Sequence, residues 1–271
     1  EERHHQAGSA KLSLFHDSDN VVTPRRRRPP LFLPERRGSG LLSARSRIAT
    51  LNAMKIAVLG TGTVGATIGT RLVSLGHDVM MGSRSAGNEK AAAWARGAGA
   101  GPGHASQGTF AAAAAHGEVI INCTSGAGAL EALAAAGDSN LGDKILIDLS
   151  NPLVFRKGEP PAMQFPGNDS LGERIQKAFP RARVVKTLNT ITAAVMVDPG
   201  RVPGEHDLFV GGNDAGAKAR VTEILKDWFG WKHVVDLGDI TAARGMEAYV
   251  LFWVRLMGVQ GTPMFNIRVV R

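Results

Sequence analysis

Short apolar runs alternate with segments of helical periodicity from residue 54 onward. The first run, KIAVLG, ends at Gly60, and Val64, Ile68 and Leu72 then recur at helical spacing. A continuous apolar run predicts a buried strand, and apolar residues three to four positions apart predict an amphipathic helix. This part of the chain is therefore expected to begin with a strand followed by a helix.

The same alternation continues towards the C-terminus. Further strands are predicted in HDVMMGSR, EVIINCTSG, KILIDLSNP, RVVKTLN, HDLFVGG and HVVDLGD. Helices are predicted at Asn88–Arg96, Phe110–His116, Ala127–Ala136, Ser170–Phe179, Asp214–Phe229 and roughly Thr241–Met257. Strands made almost wholly of Val, Ile and Leu are typical of a parallel sheet covered by helices on both faces. The sequence predicts an α/β fold with a doubly wound, mostly parallel sheet and a small C-terminal helical extension.

Two segments receive no assigned element. Residues 97–108 are rich in glycine, and residues 153–168 contain several Pro and Gly residues typical of a loop. The part after residue 182 forms a small second domain or extends the same sheet, and the sequence leaves both arrangements open. We divide the chain into residues 54–182 and residues 183–271.

The stretch GTGTVG lies between the first predicted strand and its helix. Gly60, Gly62 and Gly65 have the spacing of the dinucleotide-binding fingerprint, in which they permit a tight turn, close approach of a pyrophosphate and close packing of helix on strand. The N–H groups at the start of the helix would face the anion. A glycine-rich turn without a ligand is the alternative, and the strand and helix on either side favour a Rossmann-type nucleotide site.

The exit of the second predicted strand indicates which dinucleotide is bound. An NAD site places Asp or Glu here, but this strand ends in Gly82, Ser83 and Arg84. A guanidinium offers two parallel donors to a phosphate, and a hydroxyl adds a third. We therefore predict NADP(H) rather than NAD(H); the alternative is that Arg84 is an ordinary solvated loop residue.

Other hydroxyl and amide side chains follow the predicted strands. The carboxyl ends of parallel strands are where nucleotides bind, so these residues are candidate cofactor contacts. They are Thr61, Thr63, Thr124, Ser125, Ser150 and Asn151.

Composition limits the function classes. The 271 residues are 44% hydrophobic and 21% charged, with one cysteine, and no apolar run is long enough for a membrane helix. A soluble, cytoplasmic protein is expected. The net charge of +8 suggests nucleic acid, but residues 1–53 hold ten Lys or Arg against five Asp or Glu, so we expect no nucleic-acid binding by the folded part.

Residues 1–53 have the composition of a segment that builds no core. Three explanations remain open: a mistaken upstream extension, a targeting segment, or a basic tail that touches nucleic acid. We favour the first, because the first methionine is Met54 and a complete strand begins there.

The stretches MKIAVLGTGTVG, HDVMMGSR, RVVKTLNTI and GTPMFNIRVVR resemble the coenzyme F420-dependent NADP oxidoreductase family over residues 54–271. The resemblance implies hydride transfer between NADP(H) and a deazaflavin, a Rossmann domain at 54–182, and a C-terminal part at 183–271 that helps to hold the acceptor, often across a homodimer. Residue by residue, it puts Thr61, Gly62, Thr63 and Val64 at the pyrophosphate, Ser83 and Arg84 at the 2′-phosphate, Thr187 and Asn189 near the nicotinamide, and Ile240 near the second ring.

No catalytic constellation or metal-ligand spacing stands out, which fits direct hydride transfer between two stacked rings. Cys123 and Asp148 are predicted to be structural. Two other functions remain open: an NADP-dependent reductase of a small carbonyl or imine, and a non-catalytic NADP(H)-binding sensor. The first needs a proton donor near the nicotinamide, and Tyr249, the only tyrosine, lies in an apolar helix.

Overall fold

The computed structural model describes residues 53–165 and 167–270. Residues 1–52, which make up nearly all of the basic leader, lie outside the described residues, so the explanations for that segment stay predictions. The strands are β1 (Lys55–Leu59), β2 (Asp78–Ser83), β3 (His104–Thr109), β4 (Val119–Asn122), β5 (Ile145–Asp148), β6 (Leu153–Val154), β7 (Ala162–Met163), β8 (Arg183–Thr187), β9 (Asp207–Gly211) and β10 (His233–Asp236). The helices are α1 (Thr63–Ser74), α2 (Glu89–Ala98), α3 (Phe110–His116), α4 (Ala129–Ala136), α5 (Asp138–Leu141), α6 (Leu171–Ala178), α7 (Ala193–Met196), α8 (Ala215–Phe229) and α9 (Ala243–Gln260).

Eight of these strands form one sheet in the order β10-β9-β8-β5-β4-β1-β2-β3. The six strands from β8 to β3 are parallel, and β9 pairs with β8 in the antiparallel direction. The predicted α/β fold with a doubly wound, mostly parallel sheet is confirmed. Because β8, β9 and β10 continue this sheet, the division at residues 182 and 183 does not interrupt it, and that division stays a prediction.

Helices cover both faces of the sheet. Ile56 and Val58 of β1 belong to one buried cluster, which contains residues of α1 and α8. Ala57 and Leu59 belong to a second cluster, with residues of α3, α4 and α6. Alternating side chains of one strand are therefore buried on opposite faces, as expected for a central strand of a parallel sheet.

The strand register aligns the carboxyl ends that bear the candidate site. Leu59 is paired with both Gly82 and Asn122, Asn122 is paired with Asp148, and Asp148 is paired with Lys186. These five residues form one row across five neighbouring strands. The loops that follow them consequently open along a single edge of the sheet.

The structure adds elements that the sequence left unassigned. Strand β3 lies in the glycine-rich segment and pairs with β2 over its full length, and the antiparallel pair β6–β7 lies in the segment 153–168. Helix α9 extends three residues beyond the predicted end at Met257. No helix in the described part of the chain is long and apolar enough to cross a membrane.

Candidate functional site

The glycine loop between β1 and α1 is held in a tight turn against β2 and β4. Gly60 has φ of +116°, and its N–H donates to the carbonyl oxygen of Gly82 at 2.9 Å. A Cβ at Gly60 would lie 2.8 Å from the carbonyl oxygen of Cys123, and one at Gly65 would lie 2.1 Å from that of Gly60. Both positions therefore require glycine, one for its backbone conformation and contact and the other for helix packing.

The N-terminus of α1 opens into free space. Gly62 is its N-cap residue, no side chain caps it, and the first turn contains no acidic residue. A Cβ at Gly62 would meet no atom within 4 Å among the described residues. The first N–H groups of a helix have no partners within the helix, and they carry a positive partial charge. This end of α1 can therefore accept an anion such as a pyrophosphate.

Ser83 and Arg84 occupy the exit of β2. The Ser83 side chain is buried, and its hydroxyl donates to the carbonyl oxygen of Ser85 at 2.6 Å. Arg84 is exposed, and its Nη2 lies 3.6 Å from the position that a Cβ of Gly128 would occupy. None of the ion pairs between described residues involves Arg84. Its guanidinium is thus available to a phosphate.

A cleft of about 300 Å³ joins these features. Its lining combines the glycine loop with the exits of β2 and β4, including Thr61, Gly62, Ser83, Arg84, Thr124 and Ser125. The Thr124 hydroxyl donates to Asn122 Oδ1 at 2.7 Å, which leaves its oxygen free to accept. Asn88, which the sequence left unassigned in the site, also lines the cleft, and its Oδ1 accepts from Ala91 N–H at the start of α2.

Cys123 lines the same cleft but has the character of a packing residue. Burial raises the pKa of its thiol, and the charge of Asp148 raises it further. A thiol held in its neutral form is a poor nucleophile. The interpretation of Cys123 as structural therefore agrees with its surroundings.

A second group of predicted residues lies at the carboxyl ends of β5 and β8, outside the lining of this cleft. Asn151 and Asn189 are linked twice: Asn151 Nδ2 donates to the Asn189 carbonyl oxygen at 2.8 Å, and Asn189 Nδ2 donates to Asn151 Oδ1 at 2.9 Å. The hydroxyl of Ser150 donates to Asp148, and that of Thr187 donates to the carbonyl oxygen of Phe209. The hydroxyl groups of both residues therefore already donate to acceptors within the protein.

The backbone between Thr187 and Asn189 is strained. Leu188 has φ of +61°, which is rare for a bulky residue, and it is buried. Asn189 Nδ2 also donates to the carbonyl oxygen of Met246, whereas the buried Asn189 Oδ1 has no hydrogen-bond partner among the described residues. A buried acceptor without a donor is costly, so this oxygen is a candidate ligand contact.

Ile240 lies in a 3₁₀ turn before α9 and is buried in the second core cluster. Its N–H donates to Asn213 Oδ1 at 3.0 Å, and its Cδ1 lies 3.4 Å from the position that a Cβ of Gly172 would occupy. The structure therefore places Ile240 in packing between the turn and α6. Its expected position near a second ring stays a prediction.

Sequence analysis missed a buried ionic cluster below this edge of the sheet. Lys186 Nζ lies 2.7 Å from Asp148 Oδ2 and 2.9 Å from Glu247 Oε1. Burial alone lowers the pKa of the Lys186 ammonium, but the two carboxylates outweigh burial and raise this pKa above its ordinary value. The detectable signal was Lys186 itself, a charged residue inside an apolar strand; the sequence could not identify Glu247 as its partner.

Comparisons with known proteins are consistent with a nucleotide-binding cleft. Residues 55–152 match the model of the family described as NADP oxidoreductase, coenzyme F420-dependent. A crystal structure of a candidate F420-dependent NADP-reductase from Arthrobacter sp. FB24 is 48% identical, with a TM-score of 0.75, and the match covers 81% of this chain and 100% of that one.

Two curated relatives match over part of their length. Metalloreductase STEAP3 from Rattus norvegicus is 32% identical over 199 residues, which is 73% of this chain and 37% of that protein. F420-dependent NADP reductase from Methanocaldococcus jannaschii is 29% identical over 106 residues, 39% of this chain and 47% of that protein. The chain thus spans less than half the length of either relative. A reductive aminase from Aspergillus terreus in complex with NADPH, 20% identical with a TM-score of 0.53 over 77% of this chain and 62% of that one, shares the fold alone.

Proposed function

This chain belongs to the coenzyme F420-dependent NADP oxidoreductase family, and we propose that it transfers a hydride between NADP(H) and a deazaflavin, coenzyme F420 or a similar flat acceptor. The observation that carries the proposal is the arrangement at the exit of β2. Arg84 faces the cleft without an ion-pair partner among the described residues, and no carboxylate stands at the strand end. A 2′-phosphate is attracted by such a site, whereas the carboxylate of a typical NAD site would repel it.

The chain's own residues divide the work of holding the cofactor. The N-terminus of α1 and the open backbone at Gly62 would bind the pyrophosphate, and Arg84 would bind the 2′-phosphate. Ser83 would donate to the same phosphate once its hydroxyl turns away from the carbonyl oxygen of Ser85. When bound, NADPH supplies the hydride and the deazaflavin ring accepts it. The reaction then depends on holding two rings face to face rather than on an acid or a base.

The acceptor would lie on the side of Asn151, Asn189 and α9. The unpartnered Asn189 Oδ1 supports a ligand with an N–H donor at this edge. The residues carried over from the family resemblance keep their proposed places: Thr187 and Asn189 near the nicotinamide, and Ile240 near the second ring.

We also propose that the chain forms a homodimer through α9 and that it acts in the cytoplasm. An exposed stripe on α9 contains Ala248, Phe252, Arg255 and Val259, spaced so that they share one helix face. Two of these residues are large and apolar, with Phe252 57% and Val259 82% exposed. A second subunit would remove this surface from water.

The deciding experiment is anaerobic stopped-flow spectroscopy of the purified protein with NADPH and coenzyme F420. We expect the absorbance of the oxidised deazaflavin and that of NADPH to fall together on mixing. The two decreases should correspond to one mole of NADPH oxidised for each mole of deazaflavin reduced. NADH at the same concentration serves as the cofactor control. Turnover of a small carbonyl or imine without any deazaflavin would replace the proposal with the reductase alternative, and NADPH binding without oxidation by either acceptor would favour the sensor.

A further inference from the structure

The buried ionic cluster consists of Lys186, Asp148 and Glu247, which come from β8, β5 and α9. The side chains of Lys186 and Asp148 are 0% exposed and that of Glu247 is 1% exposed. Lys186 Nζ also donates to the carbonyl oxygen of Ser150. All three ammonium donors thus have an acceptor, and the cluster is closed to solvent.

The carboxylates of the cluster hold two further elements, β4 and α6. Asp148 Oδ1 accepts from Asn122 Nδ2 at 2.8 Å, which connects β5 to β4. Glu247 accepts from the N–H groups of Leu171 at 2.8 Å and Gly172 at 3.0 Å, the first two residues of α6. The positive N-terminal end of α6 thereby offsets the second carboxylate of the cluster. Glu247 thus links α9 to both α6 and the sheet, and Arg244 of α9 adds a second link to α6 through its ion pair with Glu173.

A cluster of this kind is a weak way to stabilise a fold. Removing two charges from water is costly, and well-packed apolar residues of similar volume often stabilise a fold as well or better. What an ion pair supplies that apolar contacts do not is a fixed geometry, because its hydrogen bonds are directional. The cluster is therefore expected to determine where α9 lies.

The same two chain segments meet a second time next to the cluster. Asn189 follows Lys186 by three residues, and Met246 directly precedes Glu247. The Asn189 amide donates to the carbonyl oxygen of Met246 at 3.0 Å. The strained Leu188 lies between Lys186 and Asn189. The orientation of the Asn189 amide consequently depends on the register of α9 relative to β8.

We propose that Lys186 and Glu247 are positioning residues whose ion pair fixes the first turns of α9 against β8 and thereby holds the Asn189 amide on the acceptor side of the site. This inference rests on the proposed function. The phosphate end of the cleft is built by the glycine loop and the exit of β2, and none of the hydrogen bonds or ion pairs of Lys186 and Glu247 among the described residues goes to either. Weakening the ion pair should therefore alter how the rings are bound in the site, and it should leave the affinity for the phosphates unchanged.

The test compares Glu247→Gln and Lys186→Met with the wild type, using two probes of different reach. The first probe, 2′,5′-ADP, carries the phosphates without the nicotinamide, and its dissociation constant reports the phosphate end. The second, NADPH, is followed by the emission of its bound nicotinamide ring, which reports the ring-binding half without any acceptor. Steady-state kinetics with coenzyme F420 then separate KM from kcat.

We expect both variants to bind 2′,5′-ADP within about twofold of the wild type. The emission of bound NADPH should change, and kcat/KM for the acceptor should fall by roughly tenfold to a hundredfold, since displacements near 1 Å at a reacting centre have effects of that order. The control is Lys218→Met, which removes a partly buried ammonium that contacts one carboxylate, Asp236, rather than two, together with one carbonyl oxygen, that of Gly238. It should behave as the wild type in all three measurements.

Two results would overturn the inference. One is an equal loss of 2′,5′-ADP affinity and acceptor turnover, which would show a general structural role. The other is a Glu247→Gln variant that matches the wild type in NADPH emission and in turnover. If Lys186→Met does not fold, Glu247→Gln decides, because it keeps the size of the side chain and one acceptor oxygen. If the wild type itself turns over no deazaflavin, the proposed function fails, and NADPH emission against 2′,5′-ADP affinity still tests the positioning role.

Discussion

A Cβ on Gly65 would lie 2.1 Å from the carbonyl oxygen of Gly60, within a single β-strand-to-helix turn. Two residues later than Gly60, a Cβ on Gly62 would meet nothing within 4 Å among the described residues. The first contact holds α1 close to β1, and the free space at Gly62 is where an anion would approach. The glycines of one short loop therefore have separable tasks.

Two alanine substitutions in this loop should affect different properties, one the stability of the fold and the other the affinity for NADPH. Gly65→Ala should lower the free energy of unfolding by about 3 kcal/mol or more, because backbone must move to relieve the contact. Gly62→Ala should cost about 1 kcal/mol or less as a change of N-cap residue, but it should weaken NADPH binding by obstructing the pyrophosphate. Urea unfolding and NADPH titration measure the two effects. A Gly62→Ala variant with unaltered NADPH affinity would contradict the placement of the pyrophosphate.

Arg84 should determine the preference for NADPH over NADH. Hydrogen bonds to charged groups contribute about 1.5–3 kcal/mol, so Arg84→Ala is expected to weaken NADPH binding by roughly tenfold to a hundredfold. Binding of NADH should change little, because it lacks the 2′-phosphate. Fluorescence titration with both cofactors measures the ratio.

The matched control for Arg84 is Arg96→Ala, which removes an equally charged, exposed arginine from the last turn of α2. Both variants lower the net charge by one. A similar loss of NADPH affinity in the two variants would mean that general charge attraction, and not a contact at the exit of β2, selects the cofactor.

The first half of the fold follows closely from sequence because local signals agree there. β1, the glycine loop and α1 each carry their own pattern, and a parallel sheet is the arrangement that buries such strands on both faces. β3 has no such signal: HASQGT is polar, and it lies at the edge of the sheet, where only one neighbour pairs with it. Its place depends on register with β2 rather than on its own residues.

The candidate site likewise contains some residues that a local sequence pattern predicts and others that no such pattern predicts. The places of Gly60, Ser83 and Arg84 at the cleft could be predicted, because each follows from one local pattern: the glycine motif or the exit of one strand. The pairing of Lys186 with Glu247 joins residues 61 positions apart, and no spacing rule connects them. The antiparallel direction of β9 is similar, because it results from how the chain returns after α7 and not from the composition of the strand.

His77 should make stability fall below neutral pH. Its ring is fully buried and lies 4.3 Å from the Trp228 ring, centroid to centroid, and its Nδ1 accepts from the Met54 N–H. Burial lowers the pKa of His77, and the charge of Arg220 lowers it further. The unfolded chain thus takes up a proton near its ordinary pKa of 6.5 before the folded chain does. The contribution of His77 to the free energy of unfolding is therefore complete above pH 6.5 and is lost as the pH falls through the pKa of the folded protein.

The variant His77→Phe keeps an aromatic ring on Trp228 and removes this titration. Below pH 6.5, we expect the wild type to lose up to about 1.4 kcal/mol of unfolding free energy per pH unit because of this group. The slope of unfolding free energy against pH should be shallower by that amount in the variant. Urea unfolding on either side of that pH measures both slopes. Parallel slopes in the two proteins would show that His77 does not carry the pH dependence.

The exposed stripe of α9 should hold two subunits together. Phe252 and Val259 are seven positions apart on one face and remain largely exposed in the single chain, and stable interfaces bury about 800 Å² on each partner. Phe252→Glu puts a charge at the centre of this face, so it should convert a dimer to a monomer while leaving the far-ultraviolet circular dichroism unchanged. The control Leu237→Glu changes another exposed apolar residue, in the loop after β10. Analytical ultracentrifugation measures the mass of each: a monomeric wild type, or a Phe252→Glu variant that stays dimeric, would exclude α9 as the interface.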